Sequence, residues 1–145
     1  MNDKFILDAS VAAKWLLPAE GEPLAAEALR LLQSYSEGQI GLAVPDIFWA
    51  ETTNLLWKAV RFNRCTRDSA EAALASLKQQ HLPTVSSLKL IDLAFGLAAS
   101  FGRTVYDSLY VALAVESKAL LITADKRLAN ALASDLPVKW LGALQ

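Results

Sequence analysis

Short, uniformly apolar runs recur along this chain at wide intervals, and helix-like stretches fill the gaps between them. Phe5-Ile6-Leu7, Leu42-Ala43-Val44 and Ala119-Leu120-Leu121-Ile122-Thr123 show no alternation of polar and apolar residues. A strand with one face in water alternates, whereas a strand covered on both faces has no need to. Pro83–Ser86 and Val138–Leu141 read as two further short strands. Between them, apolar stripes at i, i+3 and i+4 predict helices over Ser10–Leu17, 22–37, Ile47–Phe62, Thr66–Gln80, Leu88–Phe101, Val105–Ser117 and Asp125–Ser134. Ser10 is placed as the N-cap of the first and Pro18 as its stop, while Gly38 and Gly102 terminate later ones. Strands alternating with helices in this way imply a three-layer α/β/α fold around a central parallel sheet of about five strands. No repeat, low-complexity stretch or linker interrupts the 145 residues, so one domain is expected.

The composition narrows the function. A net charge of −1 gives no overall attraction to nucleic acid, so any such binding needs a local basic patch. One cysteine, Cys65, excludes an internal disulfide framework and fits a reducing cytoplasm, and no apolar run approaches the roughly 20 residues that span a bilayer. The single histidine, His81, lies beside Leu82-Pro83 and reads as a loop residue, which excludes a mechanism built on two histidines. The supply of His and Cys is too small for a zinc centre. No glycine-rich phosphate loop occurs.

The acids are the more informative residues. Open parallel sheets place their sites beyond the carboxyl ends of the strands. Asp8 follows Phe5-Ile6-Leu7 directly, and Asp125 follows Thr123 by one residue, so two carboxylates leave the same edge of the sheet. Each could equally cap the helix after it. Glu51 lies one turn into its helix with Asn54 on the same face, where a solvated polar face is the plainer reading. Asp107 is harder to explain structurally. It lies near the start of the very apolar helix Val105–Ser117, and no Lys or Arg is expected on the same face one turn away to pair with it.

These residues also stand in a recognisable order. Leu7-Asp8-Ala9-Ser10-Val11 with Lys14-Trp15, then Val44-Pro45-Asp46 leading to Glu51-Thr-Thr-Asn54, then Tyr106-Asp107-Ser-Leu-Tyr110, then Thr123-Ala-Asp125-Lys126-Arg127, resemble the four motifs of PIN-domain proteins. The match is to the VapC-type toxins of toxin–antitoxin pairs in particular. The resemblance implies an endoribonuclease that hydrolyses RNA with Mg²⁺ or Mn²⁺ held by Asp8, Glu51, Asp107 and Asp125. It also implies a cognate antitoxin and a homodimer. Hard cations of this kind take oxygen ligands and would invert the negative charge that otherwise repels a phosphodiester. Ser10 and Thr123 are expected to hydrogen-bond the carboxylates, and Asn54 to orient Glu51 or touch substrate. Lys14, Lys58, Arg61, Arg64, Lys126 and Arg127 are the candidate RNA contacts. The Trp- and Leu-rich first and third helices, with Trp15, Trp49 and Trp57, are expected to frame a groove for an amphipathic antitoxin segment. Two other readings remain at this point. One is a receiver-like module with Asp46 as phosphoacceptor, Asp8 holding Mg²⁺ and Lys139 as the paired base; the other is a PIN-like scaffold without catalysis.

Overall fold

A computed structural model describes residues 3–144. The chain runs β1 (Asp3–Leu7), α1 (Ala9–Leu16), α2 (Ala25–Ser36), β2 (Ile40–Pro45), α3 (Ile47–Arg61), α4 (Arg67–Lys78), β3 (Thr84–Val85), α5 (Ser87–Phe101), α6 (Val105–Ser117), β4 (Leu120–Thr123), α7 (Lys126–Leu132) and β5 (Val138–Trp140). A short 3₁₀ turn, Leu141–Ala143, closes it. Five strands form one parallel sheet in the order β3-β2-β1-β4-β5, as the uniformly apolar runs require. A receiver-like sheet runs 2-1-3-4-5, so the strand order separates this fold from that alternative.

Ile6, Leu7, Leu42, Val44, Leu121 and Ile122 are each at most 2 % exposed, which puts both faces of the three middle strands out of water. Truncating any one of them to alanine would cost about 2–5 kcal/mol for the larger side chains. Helix α6 is buried from Ser108 to Ala114 without a break, because it lies across β1, β2 and β4 and is itself covered by α5. A helix that is apolar all round belongs in such a place. Gly102, at φ +68°, ends α5 in a left-handed turn that sends the chain straight into α6. On the other flank, α1 packs against α2, α3 and α4.

Two local expectations change. Ser10 is not the N-cap of α1; Asp8 occupies that position, in extended geometry, and Ser10 is the second residue of the helix. The tryptophans also part company. The Trp15 indole donates to the Ala28 carbonyl (2.7 Å) and the Trp49 indole to Thr84 Oγ1 (3.0 Å), so both are used in packing, while Trp57 is 55 % exposed.

Candidate active site

The strand order reverses beside β1, between it and β4, and the crevice that such a reversal opens is where Asp8 emerges. Its backbone N–H donates to the Ile122 carbonyl (3.1 Å), extending the β1–β4 pairing by one residue. Although Asp8 holds the cap position, its carboxylate does not accept from the amides of α1. It accepts instead from the hydroxyls of Ser10 and of Thr123 (3.0 Å). Capping through the helix amides therefore does not account for Asp8: its carboxylate is held by two hydroxyls, that of Ser10 in the first turn of α1 and that of Thr123 at the end of β4. Burial holds this carboxyl above its ordinary value despite both hydroxyl donors, and the charge of Asp107 adds to the rise.

Asp125 behaves differently. Its Oδ1 accepts from the backbone N–H groups of Arg127 (3.0 Å) and Leu128 (3.2 Å), so it does cap α7, at an exposed position on the same edge. Asp107 sits in the first turn of α6, where its N–H donates to the N-cap hydroxyl of Thr104 (3.1 Å). Burial raises Asp107 against the opposing pull of Arg103, and Asp125 contributes repulsion. The guanidinium of Arg103 stands 3.6 Å from the Asp107 carboxylate, one turn back and just outside the helix. Asp107 thus has a basic partner one turn away, contrary to the expectation from the sequence that it has none.

Glu51 projects from the second turn of α3. Burial raises its carboxyl, the hydroxyl of Tyr110 (2.7 Å) pulls it down, and Asp8 and Asp107 push it up again. Asp8, Ser10, Glu51, Asn54, Lys58 and Asp107 line one cleft of about 270 Å³. Asp125 stands outside that lining and is linked to it through its repulsion of Asp107. Among the described residues no three acidic, histidine or cysteine side chains converge tightly enough to hold an ion unaided. The donor set consists of hard oxygens suited to a cation that keeps part of its water shell.

The basic residues sort into separate groups. Lys58 borders the cleft, and Arg61 lies over the Trp57 ring at 5.6 Å. Lys126 lies over Trp140 at 4.6 Å, and Arg127 is exposed beside it. Lys14 (3.2 Å) and Arg64 (2.7 Å) both grip Glu22, fastening the α1–α2 connection to the α3–α4 loop. Burial alone would raise Glu22, yet these two cations hold it below its ordinary value. Asp46 receives the backbone N–H (2.9 Å) and the hydroxyl of Ser87, which joins the starts of α3 and α5. His81 is exposed in the loop before β3. Two participants escaped sequence reasoning, Arg103 and Tyr110; for Tyr110 the signal was present, since a tyrosine buried in an apolar helix needs a partner for its hydroxyl.

A five-stranded parallel sheet with carboxylates collected beyond its central strands is the arrangement of a PIN domain, and the PIN domain family model matches residues 5–132. The chain belongs to that family. It is 34 % identical over 129 residues to Ribonuclease VapC3 of Pyrobaculum aerophilum, covering 88 % of this chain and 93 % of the relative. In structure it resembles PAE2754 of Pyrobaculum aerophilum, with a TM-score of 0.70 and 21 % identity over 97 % of this chain and 85 % of the other. It also resembles VapC20 of Mycobacterium tuberculosis, a toxin that cleaves the sarcin–ricin loop (TM-score 0.65, 15 % identity, 91 % and 95 % covered). A toxin–antitoxin complex from Klebsiella pneumoniae gives a TM-score of 0.60 at 16 % identity, with 92 % and 94 % covered.

Proposed function

We propose that the protein is an Mg²⁺- or Mn²⁺-dependent endoribonuclease and the toxin half of a toxin–antitoxin pair. The observation that carries this reading is the Asp8 carboxylate. It occupies a helix cap position, declines the cap, and is held by two hydroxyls at a cleft shared with Glu51 and Asp107. Burial raises all three carboxyls, Asp107 repels Asp8, and both repel Glu51, so a divalent cation would relieve the site. Asp8, Glu51 and Asp107 would hold the ion, with Asp125 at the rim. The chemistry it supplies is positive charge against the phosphodiester and a water made acidic enough to attack.

The chain's own groups do the rest. Ser10 and Thr123 fix the Asp8 carboxylate, Asn54 offers an amide inside the cleft, and Lys58 presents an ammonium to a phosphate at its edge. Arg61, Lys126 and Arg127 would carry the strand onward; Lys14 and Arg64 are engaged by Glu22. The antitoxin segment is assigned to the groove between α3 and α4, about 360 Å³ and lined by Thr53, Leu56, Trp57, Val60, Ala70 and Leu74. A second copy of the chain is assigned to the face of α5, where Leu88, Ile91 and Phe95 are exposed.

The test is incubation with a panel of tRNAs and ribosomal RNA fragments, with Mn²⁺ or with EDTA. Cleavage that needs Mn²⁺ and disappears in Asp8→Asn is expected. Equal cleavage in EDTA overturns the metal dependence, and tight Mn²⁺ binding without cleavage of any RNA returns the protein to the scaffold reading.

A further inference from the structure

Tyr110 is the largest of the fully buried side chains, 2 % exposed, in the middle of the most buried helix. Such a ring belongs to the core, but its hydroxyl cannot be left there without a partner. The nearby backbone is committed to helix and sheet, and the partner the fold supplies is a side chain 59 residues earlier: the hydroxyl donates to Glu51 Oε1 at 2.7 Å. One phenol therefore ties α6, which carries Tyr110, to α3, which carries Glu51. Among the described residues no other side chain hydrogen-bonds Glu51.

A glutamate on a helix face has three rotatable side-chain bonds and several accessible rotamers. A hydrogen bond from a rigid, buried donor selects one of them. It also differentiates the two oxygens. We propose that Tyr110 is a positioning residue for the cation site: by occupying Oε1 it turns Oε2 of Glu51 toward the cleft, so that Glu51 offers a cation one oxygen and not two. Tyr110 does for Glu51 what Ser10 and Thr123 do for Asp8. This rests on the metal-dependent reading above.

The experiment is Mn²⁺ binding to the metal-free, full-length protein, read from the electron paramagnetic resonance of free Mn²⁺, for the wild type, Tyr110→Phe, Glu51→Gln and the double variant. Loss of a group that orients a metal ligand lowers affinity by about 10–100-fold, so Tyr110→Phe is expected to bind at least about tenfold more weakly than the wild type. On the Glu51→Gln background the same change is expected to have no further effect. Equal affinity of Tyr110→Phe and the wild type overturns the proposal, as does an equal loss on both backgrounds, which is what a purely packing role produces. The wild type alone gives a second reading that needs no variant to fold. The Tyr110 hydroxyl proton, slow to exchange because it is buried and bonded, is expected to shift in the NMR spectrum on addition of Mg²⁺; an unmoved signal in the presence of bound Mg²⁺ counts against the proposal. Wild-type protein that binds no Mn²⁺ overturns the metal reading itself, whereas normal wild-type binding beside an unaffected Tyr110→Phe overturns this inference alone.

Discussion

The hydroxyl of Thr123, at the end of β4, donates to the carboxylate of Asp8, at the end of β1, across 3.0 Å. Thr123 is fully buried and its oxygen also accepts from the N–H of Asp125 (3.0 Å), while the Ser10 oxygen accepts from the N–H of Ala124 (3.0 Å). Two hydroxyls thus bind the ends of neighbouring strands together and aim Asp8. Thr123→Val keeps the shape and removes both bonds. It is expected to cost about 1–3 kcal/mol in urea unfolding, through the unsatisfied Asp125 amide. Mn²⁺-dependent cleavage should fall about 10–100-fold, and Thr123→Ser should restore most of it. A Thr123→Val enzyme of normal activity would remove the hydroxyl from any part in the site.

Asp8→Asn separates activity from stability. The amide oxygen still accepts from Ser10 and Thr123, but the buried charge and its repulsion from Asp107 are gone. Cleavage should be lost, while thermal unfolding in EDTA should show a gain of about 0.5–2 kcal/mol, the usual size when an active-site conflict is relieved. A destabilised Asp8→Asn protein would mean that the carboxylate serves the fold.

Much of this architecture is legible locally. A strand buried on both faces declares itself by unbroken apolar residues, and Val105–Ser117 has the bounds its sequence predicts because Thr104 caps one end and Gly102 isolates it from α5. The strand-end positions of Asp8 and Asp125 follow from the same runs. What stayed hidden is pairing across sequence distance. Lys14 and Arg64 look like free cations until Glu22 takes both, and Tyr110 looks like plain core until Glu51 meets it. Such contacts leave no periodicity, since they depend on which helices the sheet brings side by side. Arg103 is hidden for a different reason: it lies before the first residue of α6, outside the helical pattern that carries Asp107. An apolar groove lies between α3 and α4, lined by Leu56, Trp57 and Leu74, while Trp15 is engaged by its bond to the Ala28 carbonyl of α2.

The pH dependence of the metal-free protein follows from three raised carboxyls. Asp8, Glu51 and Asp107 all bind protons more tightly in the folded state than in the unfolded chain. Their contribution to stability is therefore complete below the unfolded carboxyl range, about pH 4, and is lost as pH rises through the folded values. Glu22 and Asp46, which are lowered, act in the opposite sense and lose stability in acid. In EDTA the melting temperature should peak in mildly acidic buffer and decline toward neutrality. Calorimetry should show a shallower decline for Asp8→Asn and a reversal of the decline when Mn²⁺ replaces EDTA. A melting temperature in EDTA that climbs steadily to neutral pH contradicts the assignment.

Helix α5 makes the last prediction. Leu88, Ile91 and Phe95 are 81 %, 45 % and 69 % exposed and recur at three- and four-residue steps, so they share one face. The opposite side of α5 is the cover of α6, through Leu90 and Ala94, and cannot turn outward without opening the core. A stripe of this kind left in water promotes association, and self-association through a helix face is isologous: each copy presents the same residues to the other. Light scattering should report about twice the 15.7 kDa chain mass for the wild type. Phe95→Asp should bring that mass to about one chain while shifting monomer stability by no more than about 0.5 kcal/mol, because the side chain is already exposed. Trp57→Asp, on the separate α3–α4 groove, should leave the dimer intact. Dissociation by Trp57→Asp but not by Phe95→Asp would move the dimer contact to that groove and leave the antitoxin segment to α5.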